Sequence, residues 1–182
     1  MKKVLLLGDS IRMNYMPRVK ELLEGRAEVW GPADNCRFAK YTLWNIGGWL
    51  GECGKPDIIH WNNGIWDVFY STADKKIFTP VGEYLDYLER IIFSLKKTGA
   101  PVVWASTTAV HPEFGACKND EIDAYNAAAA ALMAKNGIET DDLNAVMKKD
   151  IEKYISDDKL HLSEAGIDAC ARSVVASIEK YL

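Results

Sequence analysis

Apolar positions along the chain fall into short solid runs separated by longer stretches of mixed polarity. Val4-Leu5-Leu6-Leu7, Ile58 to Asn62, and Pro101 to Ala105 with its core Val102-Val103-Trp104 are too short for helices and are bounded by glycine, proline or polar residues. Such runs predict strands buried on both faces. Ala27 to Trp30 and Ile138 to Thr140 add a second and a fifth strand.

Helical patterns fill the gaps. After Ser10, Val19, Leu22 and Leu23 mark one face of a first helix, with Pro17 read as a first-turn residue and Gly25 as its C-cap. Tyr41 to Leu50 places Tyr41, Leu43, Trp44 and Trp49 in a roughly helical pattern. Thr79-Pro80 opens a long helix whose Leu85, Leu88, Ile92 and Leu95 repeat at helical spacing and which closes near Gly99. Asn119 to Asn136 predicts a helix with an alanine-rich middle, ended by Gly137, and Ser163 caps a last helix running through Tyr181.

Strict alternation of strand and helix implies right-handed crossovers and a parallel sheet covered on both faces, a three-layer α/β fold. In that arrangement Ser10, Asn62 to Asp67, Ser106 to His111 and the loop around His161 emerge at one edge of the sheet. That edge is where ligands bind in such folds.

The chain has 182 residues, 48% hydrophobic and 26% charged, which suits one domain spanning 1–182 without repeats or linkers. A net charge of −4 with no clustered basic face argues against nucleic acid or an anionic membrane as partner. The apolar run behind Met1-Lys2-Lys3 is too short for a signal-peptide core, and no stretch is long enough to span a bilayer. The four cysteines, Cys36, Cys53, Cys117 and Cys170, show no C-x-x-C spacing and read as reduced thiols of a cytoplasmic protein, Cys117 as an incidental loop thiol.

Candidate chemistry lies at the two ends. Gly8-Asp9-Ser10 delivers a hydroxyl just past the first strand, although Asp9 and Ser10 read alone are equally helix caps. Near the other end, Asp158-Lys159-Leu160-His161 places a carboxylate three residues before an imidazole. Serine needs a base to take its proton, and the base works better when a carboxylate fixes its tautomer. Together the two ends favour a Ser10, His161, Asp158 nucleophile, base and orienting acid.

With G-D-S at the start, Pro56-Asp57 leading through a strand to Gly64-Ile65-Trp66-Asp67, and D-x-x-H near the end, the chain resembles the SGNH hydrolases of the GDSL esterase and lipase superfamily. The resemblance implies a flavodoxin-like five-stranded sheet and acyl-ester hydrolysis through Ser10, His161 and Asp158. It also implies an oxyanion hole made by the Ser10 N–H, the N–H of a second-block glycine, and the asparagine of a G-x-N-D block. Two of these depart here. Trp66 stands where the asparagine is expected; Asn62, of the same strand parity, is the substitute donor, while Asn62 or Asn63 as a support of the turn at Gly64 is the competing role. Gly31-Pro32-Ala33-Asp34-Asn35-Cys36 lacks the usual glycine pattern, so the backbone N–H of Asn35 or Cys36 is the candidate there.

Asp9, Arg12, Trp66 and His111 are candidate pocket residues, and His60, inside a strand, reads as core. The three histidines lack partners at metal-ligand spacing, and neither a Walker pattern nor G-x-G-x-x-G is present, so no metal or cofactor is expected. The function this implies is a serine esterase removing a short acyl group, acetyl by analogy, from a sugar or small alcohol. An acyltransferase with the same triad and a non-catalytic carbohydrate-binding protein are the alternatives.

Overall fold

In the computed structural model, which describes residues 1–182, β1 (Lys2–Leu7), β2 (Ala27–Trp30), β3 (Ile58–Trp61), β4 (Val102–Ala105) and β5 (Glu139–Asp141) form one sheet ordered β2-β1-β3-β4-β5. Every pairing is parallel. The chain winds outward in opposite directions from β1 and β3, so the C-terminal ends of these two strands flank the crevice where the topology switches. Gly8-Asp9-Ser10 follows β1 at that crevice, and Asn62 follows β3.

Alternation along the strands divides the interior into two cores. Leu5, Leu7, Ile59, Trp61 and Trp104 pack with α2 (Ala39–Cys53), α4 (Val81–Lys96) and α5 (Asn119–Lys135). Val4, Leu6, Ile58 and Val103 face the other way, onto α1 (Ser10–Leu22) and α8 (Glu164–Ile178). Val4 to Leu7 are wholly buried. At about 1.5–3 kcal/mol for each large apolar side chain taken out of water, this run anchors the sheet together with the equally buried β3 and β4. The three-layer, flavodoxin-like architecture is the one predicted by the alternation of runs.

His60 is buried as expected, but it is not passive filling. Its Nε2 lies 3.0 Å from Asp141 Oδ2, and Asp141 Oδ1 accepts from Ser173 Oγ at 2.6 Å. These bonds tie β3, β5 and α8 together.

Three short helices have no counterpart in the apolar pattern: α3 (Ile65–Val68), α6 (Leu143–Lys148) and α7 (Ile151–Tyr154). Each is too brief for a helical period to appear. The available signal was capping: Asp142 accepts from the Ala145 N–H and Asp150 from the Lys153 N–H. Pro17 requires a correction. The Asp9 cap starts α1 at Ser10, so Pro17 lies inside the helix rather than in its first turn. No helix is long and apolar enough to cross a membrane.

Candidate active site

Ser10 is the first residue of α1. Asp9 precedes it as N-cap, with Oδ1 accepting from the Ile11 N–H at 2.9 Å. Gly8 is required by crowding: a Cβ there would stand 2.7 Å from Arg12 Cβ. The capping role and the half-buried hydroxyl therefore coexist, one on Asp9 and the other on Ser10.

The Asp158–His161 loop closes on itself. Ile155 and Leu162 form an antiparallel bridge, and the Ser156 N–H donates to the His161 carbonyl at 2.8 Å. Within it Asp158 Oδ1 accepts from Ser156 Oγ and from the N–H groups of Leu160 and His161. Oδ2 meets His161 Nδ1 at 2.6 Å, and His161 Nε2 meets Ser10 Oγ at 2.9 Å. Partial burial pulls the Asp158 pKa upward, but these hydrogen bonds outweigh it and hold the carboxyl well below the usual carboxylate range. It is ionised through the neutral and mildly acidic range. A carboxylate on Nδ1 fixes the tautomer that leaves Nε2 free to accept the serine proton.

Lys159 adopts φ +71, an uncommon conformation for a side-chain-bearing residue. Its carbonyl accepts from the His111 N–H at 3.0 Å. This corrects the reading of His111 as a pocket residue. Its ring is buried, with Nε2 3.0 Å from Glu152 and Nδ1 accepting from the Glu113 N–H, and its backbone holds the Asp158–His161 loop.

Arg12 also leaves the pocket. Its guanidinium is buried and donates to the carbonyls of Gly8, Pro32 and Asp34 at 3.3, 3.0 and 2.8 Å. It braces the loop after β2 against the Gly8–Ser10 turn. Asp9 is likewise interior; burial pushes its carboxyl up to about 6, against the opposing pull of the Ile11 N–H, Arg12 and His161. It shares a cavity of about 10 Å³ with Tyr15, Asn62 and Thr107.

Among the candidate oxyanion donors, two backbone N–H groups are free. As the first residue of α1, Ser10 keeps its N–H free of any protein acceptor, and the Asn35 N–H is also unengaged. Cys36 is excluded because its N–H donates to the Gly8 carbonyl at 3.2 Å. The Asn35 side chain turns back to accept from the Arg37 N–H, shaping the loop. Asn62 donates its amide to the Ala105 carbonyl at 2.8 Å and is buried, so that bond joins the ends of β3 and β4. Trp66 is half-buried on α3.

Asn63 and Asp67 have structural tasks that the motif reading missed. Asn63 accepts from Trp61 Nε1 and donates to the Arg37 carbonyl and to Thr42 Oγ1, fixing the loop that carries Asn35. Asp67 accepts the Ala39 N–H at the start of α2; burial pushes its carboxyl up to about 7, against the Ala39 N–H and Thr79. Gly64 lies between them at φ +155, where a Cβ would meet Thr107 Oγ1 at 2.0 Å. The paired polar residues around that glycine were the readable signal.

Cys117 is buried, and desolvation followed by the nearby Glu121 raises its thiol to about 12, which leaves little thiolate. No three His, Cys, Asp or Glu side chains gather as a metal-ligand set.

No protein-family model and no curated protein matches the sequence. Solved structures do match in three dimensions. An acetyl xylan esterase superposes with a TM-score of 0.83 at 18% identity, covering 97% of this chain and 99% of its own. The fold is that of the SGNH hydrolases. A lipase/acylhydrolase from Enterococcus faecalis gives a TM-score of 0.83 at 19% identity over 99% of this chain and 96% of its own. An acetylxylan esterase from Geobacillus stearothermophilus gives 0.82 at 17% identity, over 97% and 94%.

Proposed function

We propose that the chain is a serine esterase that hydrolyses short acyl esters of a sugar or small alcohol. The observation that carries this reading is the continuous hydrogen-bonded chain from Ser10 through His161 to Asp158. Ser10 Oγ attacks the ester carbonyl while His161 Nε2 takes its proton. The tetrahedral oxyanion is held by the N–H groups of Ser10 and Asn35, at the electropositive start of the 13-residue α1.

Collapse expels the alcohol, which receives the proton from His161 and leaves an acyl group on Ser10. Water then attacks that ester, again deprotonated by His161, and releases the carboxylic acid. Asp158 stays ionised throughout and steadies the imidazolium.

A series of p-nitrophenyl esters from acetyl to lauroyl tests the reading. Turnover is expected to be fastest for the shortest acyl groups, and Ser10→Ala should lower it on the order of 10⁴-fold or more without altering the circular dichroism spectrum. Equal turnover by wild type and Ser10→Ala would end the proposal.

A further inference from the structure

Six residues of α2 are exposed: Lys40, Trp44, Gly47, Gly48, Gly51 and Glu52. They recur at helical spacing along one side, while Ala39, Thr42, Ile46, Trp49 and Cys53 are buried on the other. Trp44 keeps 86% of its surface in solvent. Tryptophan is among the residues that contribute most to protein contacts and is seldom left this bare, so the ring marks a surface that a partner covers.

The three glycines have no task inside their own chain. A Cβ at Gly47, Gly48 or Gly51 would meet nothing of the rest of the chain within 4 Å, and none of the three has a positive φ. Glycine is the poorest helix former after proline, so three within one helix weaken it without relieving crowding or strain. They leave a strip of bare backbone beside and one turn beyond the Trp44 ring. How closely two helices approach is set by the side chains at the contact, and this strip allows a near approach.

Ring and strip together make a shape that fits its own copy. Trp44 and Gly48 stand two residues on either side of Ile46, and Lys40 and Glu52 stand six on either side. An antiparallel copy turned about a two-fold axis at the level of Ile46 therefore brings each Trp44 onto Gly48 of the other copy and each Lys40 to the level of Glu52 of the other copy. A ring meets a hollow twice, and a cation meets an anion twice. Within its own chain Lys40 lies over the Tyr87 ring at 5.8 Å, and neither Lys40 nor Glu52 is paired with an opposite charge. An anionic membrane would select cations around the tryptophan, whereas one charge of each sign, placed symmetrically about the centre, is the pattern of a self-complementary contact.

The adjoining helix widens the footprint. Leu43, next to Trp44 in the chain, lines a cleft of about 350 Å³ with Glu89, Arg90, Phe93 and Ser94 of α4, and Phe93 is 63% exposed. One helix face falls short of the roughly 800 Å² that each partner of a stable pair buries, and the outer side of α4 adds to it.

We infer that two copies of the chain associate through antiparallel α2 helices, Trp44 of each packed on the Gly47 to Gly51 strip of the other. The pairing makes no use of Ser10, His161 or Asp158, so it stands or falls apart from the esterase reading.

Sedimentation equilibrium on the whole protein tests the pairing. The wild type is expected to dimerise with a Kd of roughly 1–100 µM, and Trp44→Ser to raise that Kd at least about thirtyfold. Gly48→Gln should move two readouts in opposite directions. Urea unfolding of the single chain should shift to higher denaturant, because a better helix former replaces glycine at an open site, while the Kd rises at least about tenfold because the hollow is filled. Lys40→Glu should weaken the dimer about fivefold, and adding Glu52→Lys to it should restore the wild-type Kd, since the charges then face each other exchanged. A wild type that stays single up to about 1 mM, or a dimer unmoved by Trp44→Ser and Gly48→Gln, would overturn the assignment. A charge-exchanged double variant as weak as Lys40→Glu alone would overturn it as well.

Discussion

Replacing His161 with alanine should lower kcat for a short ester by on the order of 10⁴-fold or more while KM stays nearly constant. Nε2 is 2.9 Å from the Ser10 hydroxyl, and no other imidazole approaches it: His60 is committed to Asp141 and His111 to Glu152. Asp158→Asn should show a related defect by another route. The amide oxygen can still accept the backbone N–H groups of Leu160 and His161, so the loop closes. An amide N–H facing Nδ1 then selects the tautomer with hydrogen on Nε2, which cannot take a proton from serine. The acid limb of the wild-type pH profile should carry no step from Asp158, whose carboxyl stays charged through the acid range, whereas the buried Asp9, raised to about 6 beside Ser10, is placed to contribute to it. Steady-state rates across pH for both variants check these expectations; an acid-limb step present in the wild type and lost in Asp158→Asn would contradict the environment described for Asp158.

Arg12→Met should destabilise the fold by roughly 3 kcal/mol, since it removes the donors to the Pro32 and Asp34 carbonyls from a buried setting while nearly keeping the volume. Arg12→Lys should recover only part of this, because an ammonium lacks the planar fork that reaches carbonyls on two sides. Urea unfolding measures both variants. The loop after β2 carries the free Asn35 N–H, so the residual folded Arg12→Met should also show a lower kcat. Wild-type stability and rate in Arg12→Met would show that the loop holds its shape unaided.

The fold was legible because its signals are local and repetitive. The run Val4 to Leu7 can be satisfied only by burial on both faces, and the helical spacing of Leu88, Ile92 and Leu95 only by one buried stripe. The two segments that bring Ser10, His161 and Asp158 together were legible for a related reason: residues three apart in a closed loop, and a serine directly behind a strand, meet through topology rather than fine packing. The polar residues at the β2 and β3 ends were not readable in this way. Arg12, Asn62 and His111 carry groups suited to substrate, and their assignment turns on which acceptor each finds. Those acceptors are backbone carbonyls and an exposed glutamate on other elements, to which side-chain spacing gives no clue. Asp9 was ambiguous because capping and catalysis use the same residue types, and here the two tasks fall on neighbours.

The central claim is that Ser10 is a nucleophile activated by His161. A fluorophosphonate reacts only with a serine whose proton is removed as it attacks, so its adduct reports that activation without any assumption about substrate. Mass spectrometry of the treated protein should show a single adduct on the peptide containing Ser10, absent in Ser10→Ala and strongly slowed in His161→Ala. No adduct on Ser10, or labelling that proceeds equally fast in His161→Ala, would contradict the account.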